Sequence, residues 1–144
     1  MAFELHPRLA AGTIKLGQYH NCQILLKNNS HYAWLLIVPE VESTIIDLHQ
    51  LDKQTYLYIC ELQLKLSSFI QEYFNCYKLN TACIGNVVEQ LHIHVVGRNI
   101  DTTYQQGNDP AWPAPIWGHP AKQAYTEEQI IAIQQAFSEL TLES

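Results

Sequence analysis

A chain of 144 residues, 47% of them apolar, is long enough to bury one sizeable core, and a single domain over 1–144 is expected. Its 14 acidic and 8 basic residues give a net charge of -6 with no Lys/Arg cluster, which excludes a nucleic-acid polymer as partner because backbone binders need a basic stripe. The start of the chain shows no basic-then-apolar leader pattern, and the longest apolar run, Ala33 to Pro39, is far too short for a bilayer, so a cytoplasmic protein with a small-molecule ligand and no membrane partner is expected.

Pro7 suits a first helical position and Gly12 a stop, predicting a short helix over Arg8-Leu9-Ala10-Ala11. The apolar runs Cys22 to Leu26 and Trp34 to Val38, separated by Lys27-Asn28-Asn29-Ser30-His31, read as a hairpin or meander with a somewhat long loop. From about Leu51 to Tyr77, Ile59, Leu62, Leu66, Phe69, Ile70 and Tyr73 recur at steps of three and four, the stripe of a long amphipathic helix that covers a sheet. Two further strand-like runs, Leu79 to Ile84 and Gln90 to Val96, flank a turn at Gly85-Asn86. The segment 99–120 is rich in Pro and Trp and reads as an ordered loop; Trp112 and Trp117 could stack on a base or reach across a dimer, but fit better as anchors pinning that loop. Thr126 with Gln129 forms a capping box, and Ile130, Ile133, Phe137 and Leu140 mark a C-terminal helix over about 126–141. Cys22, Cys60, Cys76 and Cys83 have no CxxC spacing, and three lie in apolar segments, so free thiols are expected rather than disulfides or a zinc site.

The chemistry concentrates between Gln90 and Val96. Strand alternation predicts Leu91, Ile93 and Val95 on the core face, with Gln90, His92 and His94 in a row on the other. Adjacent imidazoles can donate, accept or attack near neutral pH, which suits nucleophilic attack on phosphorus with a neighbour assisting the leaving group. Taken alone, such a pair also serves as solvated decoration or as metal ligands. A metal site needs further ligands, and a cupin-type site would want a Glu where Arg98, Asn99 and Ile100 stand. No metal and no cofactor is expected.

The run Asn80 to Arg98 resembles the C-terminal half of a histidine triad domain, whose signature is His-φ-His-φ-His-φ-φ with φ apolar. It departs only at Gln90, where the first His belongs. Trp34 to Pro39 is similar to that family's earlier strand, and the resemblance covers roughly 20–98. The Asp-Pro-Ala-Trp-Pro tail from Asp109 resembles a bacterial subgroup that also carries Gln at the first position.

The resemblance implies an α+β fold: an antiparallel sheet of about five strands, one long helix on a face, and short terminal helices. It further implies a nucleotide hydrolase or nucleotidyl transferase acting on the α-phosphate of a purine nucleotide conjugate, such as a dinucleoside polyphosphate, a nucleoside phosphoramidate or an adenylylated compound. By alignment His92 attacks, forming a covalent nucleotidyl-histidine, and His94 contacts the transferring phosphate. Gly85, Asn86 and Asn80 fall where phosphate-side donors are placed, and Asn28 or Asn29 near the ribose position. Asn80 and Asn86 also flank a turn, where Asn serves the backbone equally well. Arg98 could balance phosphate charge but fits a solvated strand end better, and His6, His20, His31, His49 and His119 fit surface or turn positions. Family members usually pair as homodimers. Gln90 cannot carry an imidazolium charge, and Trp34 stands where many relatives hold another histidine. Those two changes motivate an alternative, a nucleotide-binding or sensing module with little catalysis.

Overall fold

In the computed structural model, which describes residues 2–98 and 123–142, helix α1 (Pro7–Ala11) begins at Pro7 and closes at Gly12. His6 caps it, its Nδ1 accepting from the Arg8 backbone N–H at 3.1 Å. Strand β1 (Thr13–Tyr19) follows, an element the sequence pattern hid. Its register with β2 shifts between Lys15 and Gly17, so the extra residue Leu16 breaks the alternation that would have betrayed it.

β2 (Cys22–Lys27) and β3 (Ala33–Pro39) match the two apolar runs. α2 (Lys53–Phe74) is shorter at both ends than the stripe from Leu51 to Tyr77. Asp52 caps its start by accepting from Thr55 N–H at 3.0 Å, and Asn75 ends it in the left-handed conformation. Ile59, Leu62, Leu66, Phe69 and Ile70 are buried, while Tyr73 is 40% exposed with its ring stacked against Phe69. β4 (Lys78–Cys83), β5 (Ile93–Arg98) and α3 (Glu127–Ser138) complete the described strands and α-helices, α3 opening on the Thr126/Gln129 capping box.

The five strands run in the order β1-β2-β3-β5-β4, each pair antiparallel, which is the expected α+β arrangement. β3 lies at the centre and is buried along its whole length. α2 and α3 cover one face, where Ile24, Leu26, Leu35, Ile37, Ile93 and Val95 meet Leu62, Leu66, Ile133 and Phe137. On that side a Cβ at Gly97 would stand 2.5 Å from Ile70 Cγ2 and Cys76 Sγ, so the bare glycine lets α2 and the turn after it settle on β5. The opposite face holds a second apolar group, Leu9, Leu25, Tyr32, Trp34, Leu36, Val38 and Val96, with Phe3 and Leu5 of the N-terminal segment packed against it.

All four cysteines are free thiols, Cys22 and Cys76 buried. Burial pushes Cys22 up to about 12 and Cys76 up to about 11, so neither is a thiolate at neutral pH. Among the described residues no helix is long and apolar enough to cross a membrane. Trp112, Trp117, His119 and the rest of the Pro-rich segment lie outside the described residues.

Candidate active site

β5 opens three residues later than alternation from Gln90 predicts, with Ile93 paired to Ile37 and Cys83. The residues just before it spend their polar groups elsewhere. The Gln90 carbonyl lies 2.6 Å from His92 Nδ1, and the Gln90 side chain bonds the backbone of the N-terminal segment. Gln90 is thus engaged by the segment that covers the histidine face, and it does not line the cavity that His92 and His94 share. His92, one residue ahead of the ladder, still lies on the same side as His94.

His92 and His94 stand on the face away from α2, with ring centroids 4.8 Å apart and planes at 69°. The solvated use of such a pair does not apply. Both are buried, at 6% and 5% exposure, because the N-terminal segment lies over this side. They line a cavity of about 530 Å3 together with Arg8, Leu9, Lys27, Trp34, Gly85 and Asn86. Two larger clefts of about 640 and 790 Å3 lack the histidine pair.

Hydrogen bonding assigns each ring its tautomer. A carbonyl oxygen only accepts, so His92 Nδ1 carries the proton that meets Gln90, leaving a lone pair on Nε2. An indole N–H only donates, and Trp34 Nε1 donates to His94 Nδ1 at 3.0 Å, so the single proton of neutral His94 rests on Nε2. One imidazole offers a nucleophilic nitrogen and its neighbour a hydrogen-bond donor. Burial pushes His92 below its ordinary pKa, the Gln90 hydrogen bond opposing and the Lys27 and His6 charges adding. Burial, then the His92 and Lys27 charges, pushes His94 down to about 3. Both rings are neutral at pH 7.

Gly85 makes the turn on this wall. Its φ of +72° suits glycine, and a Cβ would sit 3.3 Å from the Val88 carbonyl. Gly85 and Asn86 line the cavity, whereas Asn28, Asn29 and Asn80 do not. Asn28 Oδ1 accepts from Tyr125 N–H at 2.9 Å, tying the β2–β3 loop to the segment ahead of α3. Asn29 is buried and accepts from His31 N–H at 3.1 Å within the same loop. Asn80 Oδ1 accepts from Arg98 Nε at 2.8 Å. Arg98 is thus not the solvated strand end expected of it: it is 5% exposed, with its guanidinium 6.0 Å from the Tyr32 ring centroid. His20 is an exposed turn residue at φ 51°, its ring stacked on Tyr58 at 3.9 Å.

Sequence reasoning did not find Arg8, Leu9 or Lys27 on this wall. No spacing ties them to the motif, since the N-terminal segment and β2 reach the site only through the fold. The substitution at Trp34 was visible, but its bond to His94 was not.

Residues 10–101 match the HIT domain family. The chain belongs to the histidine triad family. Its HIT domain is similar to solved histidine triad proteins from Bradyrhizobium japonicum (28% identity, 97% of this chain and 98% of that one, TM-score 0.83) and Sinorhizobium meliloti (27%, 96% and 97%, TM-score 0.81). A histidine triad protein from Marinobacter aquaeolei is 37% identical over 96% of this chain and 98% of its own, with a TM-score of 0.79. No curated protein matches the chain. HIT domains are in general nucleotide hydrolases and transferases, and among the described residues of this one His92 and His94 line a single cavity.

Proposed function

We propose that this HIT protein is a hydrolase or nucleotidyl transferase that attacks the α-phosphate of a purine nucleotide conjugate and passes through a covalent nucleotidyl-histidine on His92. The observation that carries the reading is the tautomer of His92: its Nδ1–H is held by the Gln90 carbonyl at 2.6 Å, which leaves the Nε2 lone pair for phosphorus. Its depressed pKa keeps that lone pair available at neutral pH. His94, fixed by Trp34 as an Nε2–H donor, serves a phosphate oxygen. Asn86 and the backbone around Gly85 add donors on the same wall, where charge builds in the transition state.

Incubating the protein with a nucleotide conjugate, quenching at alkaline pH and weighing the intact chain tests this reading. An adenylyl adduct that disappears in His92→Ala, with AMP release reduced by about 1,000-fold or more, is the expected result. Undiminished AMP release by His92→Ala overturns it. AMP binding with neither adduct nor turnover supports the sensing module instead, the alternative that the replacement of the first histidine by Gln90 favours.

A further inference from the structure

The N-terminal segment covers the histidine face, and one side chain secures it there. Gln90 Oε1 accepts from the His6 backbone N–H at 2.7 Å, and its Nε2 donates to the Glu4 carbonyl at 2.9 Å. An amide presents donor and acceptor side by side, whereas a neutral imidazole carries them on opposite edges of its ring. Glutamine therefore meets two backbone groups of one segment that a histidine would not meet together. Just beyond this clamp His6 caps α1, and the helix turns Arg8 and Leu9 onto the cavity wall.

Lys27 shares that wall. Its ammonium lies 5.4 Å from the Trp34 ring centroid and beside Gly12, where a Cβ would come within 3.3 Å. Among the described residues, those lining the cavity include two cations and no carboxylate, although acidic residues outnumber basic ones 14 to 8 in the chain. A local field opposite in sign to the net charge selects an anion. The Trp34–His94 bond narrows the choice. With Nδ1 occupied as acceptor, His94 holds one proton and cannot become an imidazolium without losing that bond. A neutral imidazole N–H is a good donor and a poor acid. An amine leaving group, which needs a proton to depart, is poorly served. A phosphate leaving group departs as an anion and needs only its charge countered.

We propose that Arg8 and Lys27 form an anion subsite for the leaving group, that Gln90 is the positioning residue of that subsite, and that the favoured substrate is a phosphoric anhydride of a nucleotide rather than a phosphoramidate. This rests on His92 being the nucleophile. In the first step His92 Nε2 bonds to the α-phosphorus, the bridging P–O bond breaks, and its electron pair leaves on the departing phosphate without a proton. Water then attacks the same phosphorus, the P–N pair returns to Nε2, and the proton water sheds passes to solvent.

The test measures AMP release from diadenosine tetraphosphate and from adenosine 5′-phosphoramidate, with adduct detection, for the wild type, Arg8→Ala, Arg8→Lys, Gln90→Leu and the Arg8→Ala/Gln90→Leu pair. Arg8 is exposed on a short helix, so its replacement leaves the core intact even if Gln90→Leu loosens the segment. Wild-type kcat/KM is expected to favour the anhydride by about tenfold or more, a preference that Arg8→Ala lowers by about tenfold and Arg8→Lys partly restores. Gln90→Leu should reproduce the loss of preference, and the double variant should be no worse than either single one, as for two residues acting through one contact. A wild type that prefers the phosphoramidate, or an Arg8→Ala variant with unchanged preference, overturns the subsite. If the His92 adduct still forms in that case, the nucleophile stands and only the subsite falls. If His92→Ala is as active as the wild type, both fall together.

Discussion

The two faces of the sheet share their strands but are covered in different ways. On one, the 22-residue α2 and the 12-residue α3 lay aliphatic and aromatic side chains over Ile24, Leu35, Ile93 and Val95. On the other, a five-residue helix and an extended segment cover Trp34, Leu36 and Val96, with two imidazoles buried among them. The first face is a continuous apolar seal whose worth comes from excluding water. The second buries two imidazoles, each of which would cost free energy without a partner, and each has one: Trp34 for His94 and the Gln90 carbonyl for His92, while the half-exposed Gln90 amide bonds the backbone of Glu4 and His6. A stable helical face lets the other side hold neutral histidines at a net cost in stability.

Three perturbations sharpen or break that contrast, in decreasing order of expected effect. Leu66→Ala removes a fully buried side chain beneath α2 and should cost about 3 kcal/mol in a urea melt while leaving AMP release per folded molecule unchanged. A matching loss of turnover would mean that the two faces are not independent.

Acid should act on the histidine face. An unfolded His94 titrates near 6.5, but in the fold it is pushed down to about 3, so below pH 6.5 the unfolded chain takes up a proton that the native one refuses. Stability therefore falls as pH drops from 6.5 towards 3, by about 2 kcal/mol at pH 5 for this residue, with His92 adding in the same direction. Urea midpoints at pH 7 and pH 5 read this directly, and equal midpoints would contradict the burial of neutral rings.

Trp34→Phe removes the N–H that holds His94 in its tautomer. AMP release should fall by about tenfold, a change of roughly 1.4 kcal/mol in barrier. The His94 ring should then titrate at higher pH by NMR, and the acid sensitivity of stability should shrink. An unmoved titration would show that burial alone keeps His94 neutral.

Much of this was legible before any coordinates. Pro7 and Gly12 bracket α1, the Thr126/Gln129 box opens α3, and the stripe from Ile59 to Ile70 marks the buried side of α2, because caps and helical periodicity act within a few residues. β1 escaped because the bulge at Leu16 disturbs its period. In the site, His92 and His94 were placed on one face by alternation alone. The resemblance put Asn28 or Asn29 near ribose; that Asn28 accepts from Tyr125, 97 residues along the chain, and Asn29 from His31 only the fold reveals.

By itself the sequence determined the order of the elements after β1, the apolar side of each helix and the placing of two histidines side by side on one face, since all three are properties of short stretches of chain. Tertiary structure decided which tautomer each histidine holds, because the deciding partner of His94 is Trp34, on the neighbouring strand β3. It decided that two basic side chains of an acidic protein meet at one wall. It decided, finally, what Gln90 holds: its amide meets the backbone of Glu4 and His6, 86 and 84 residues away along the chain, which no local pattern encodes.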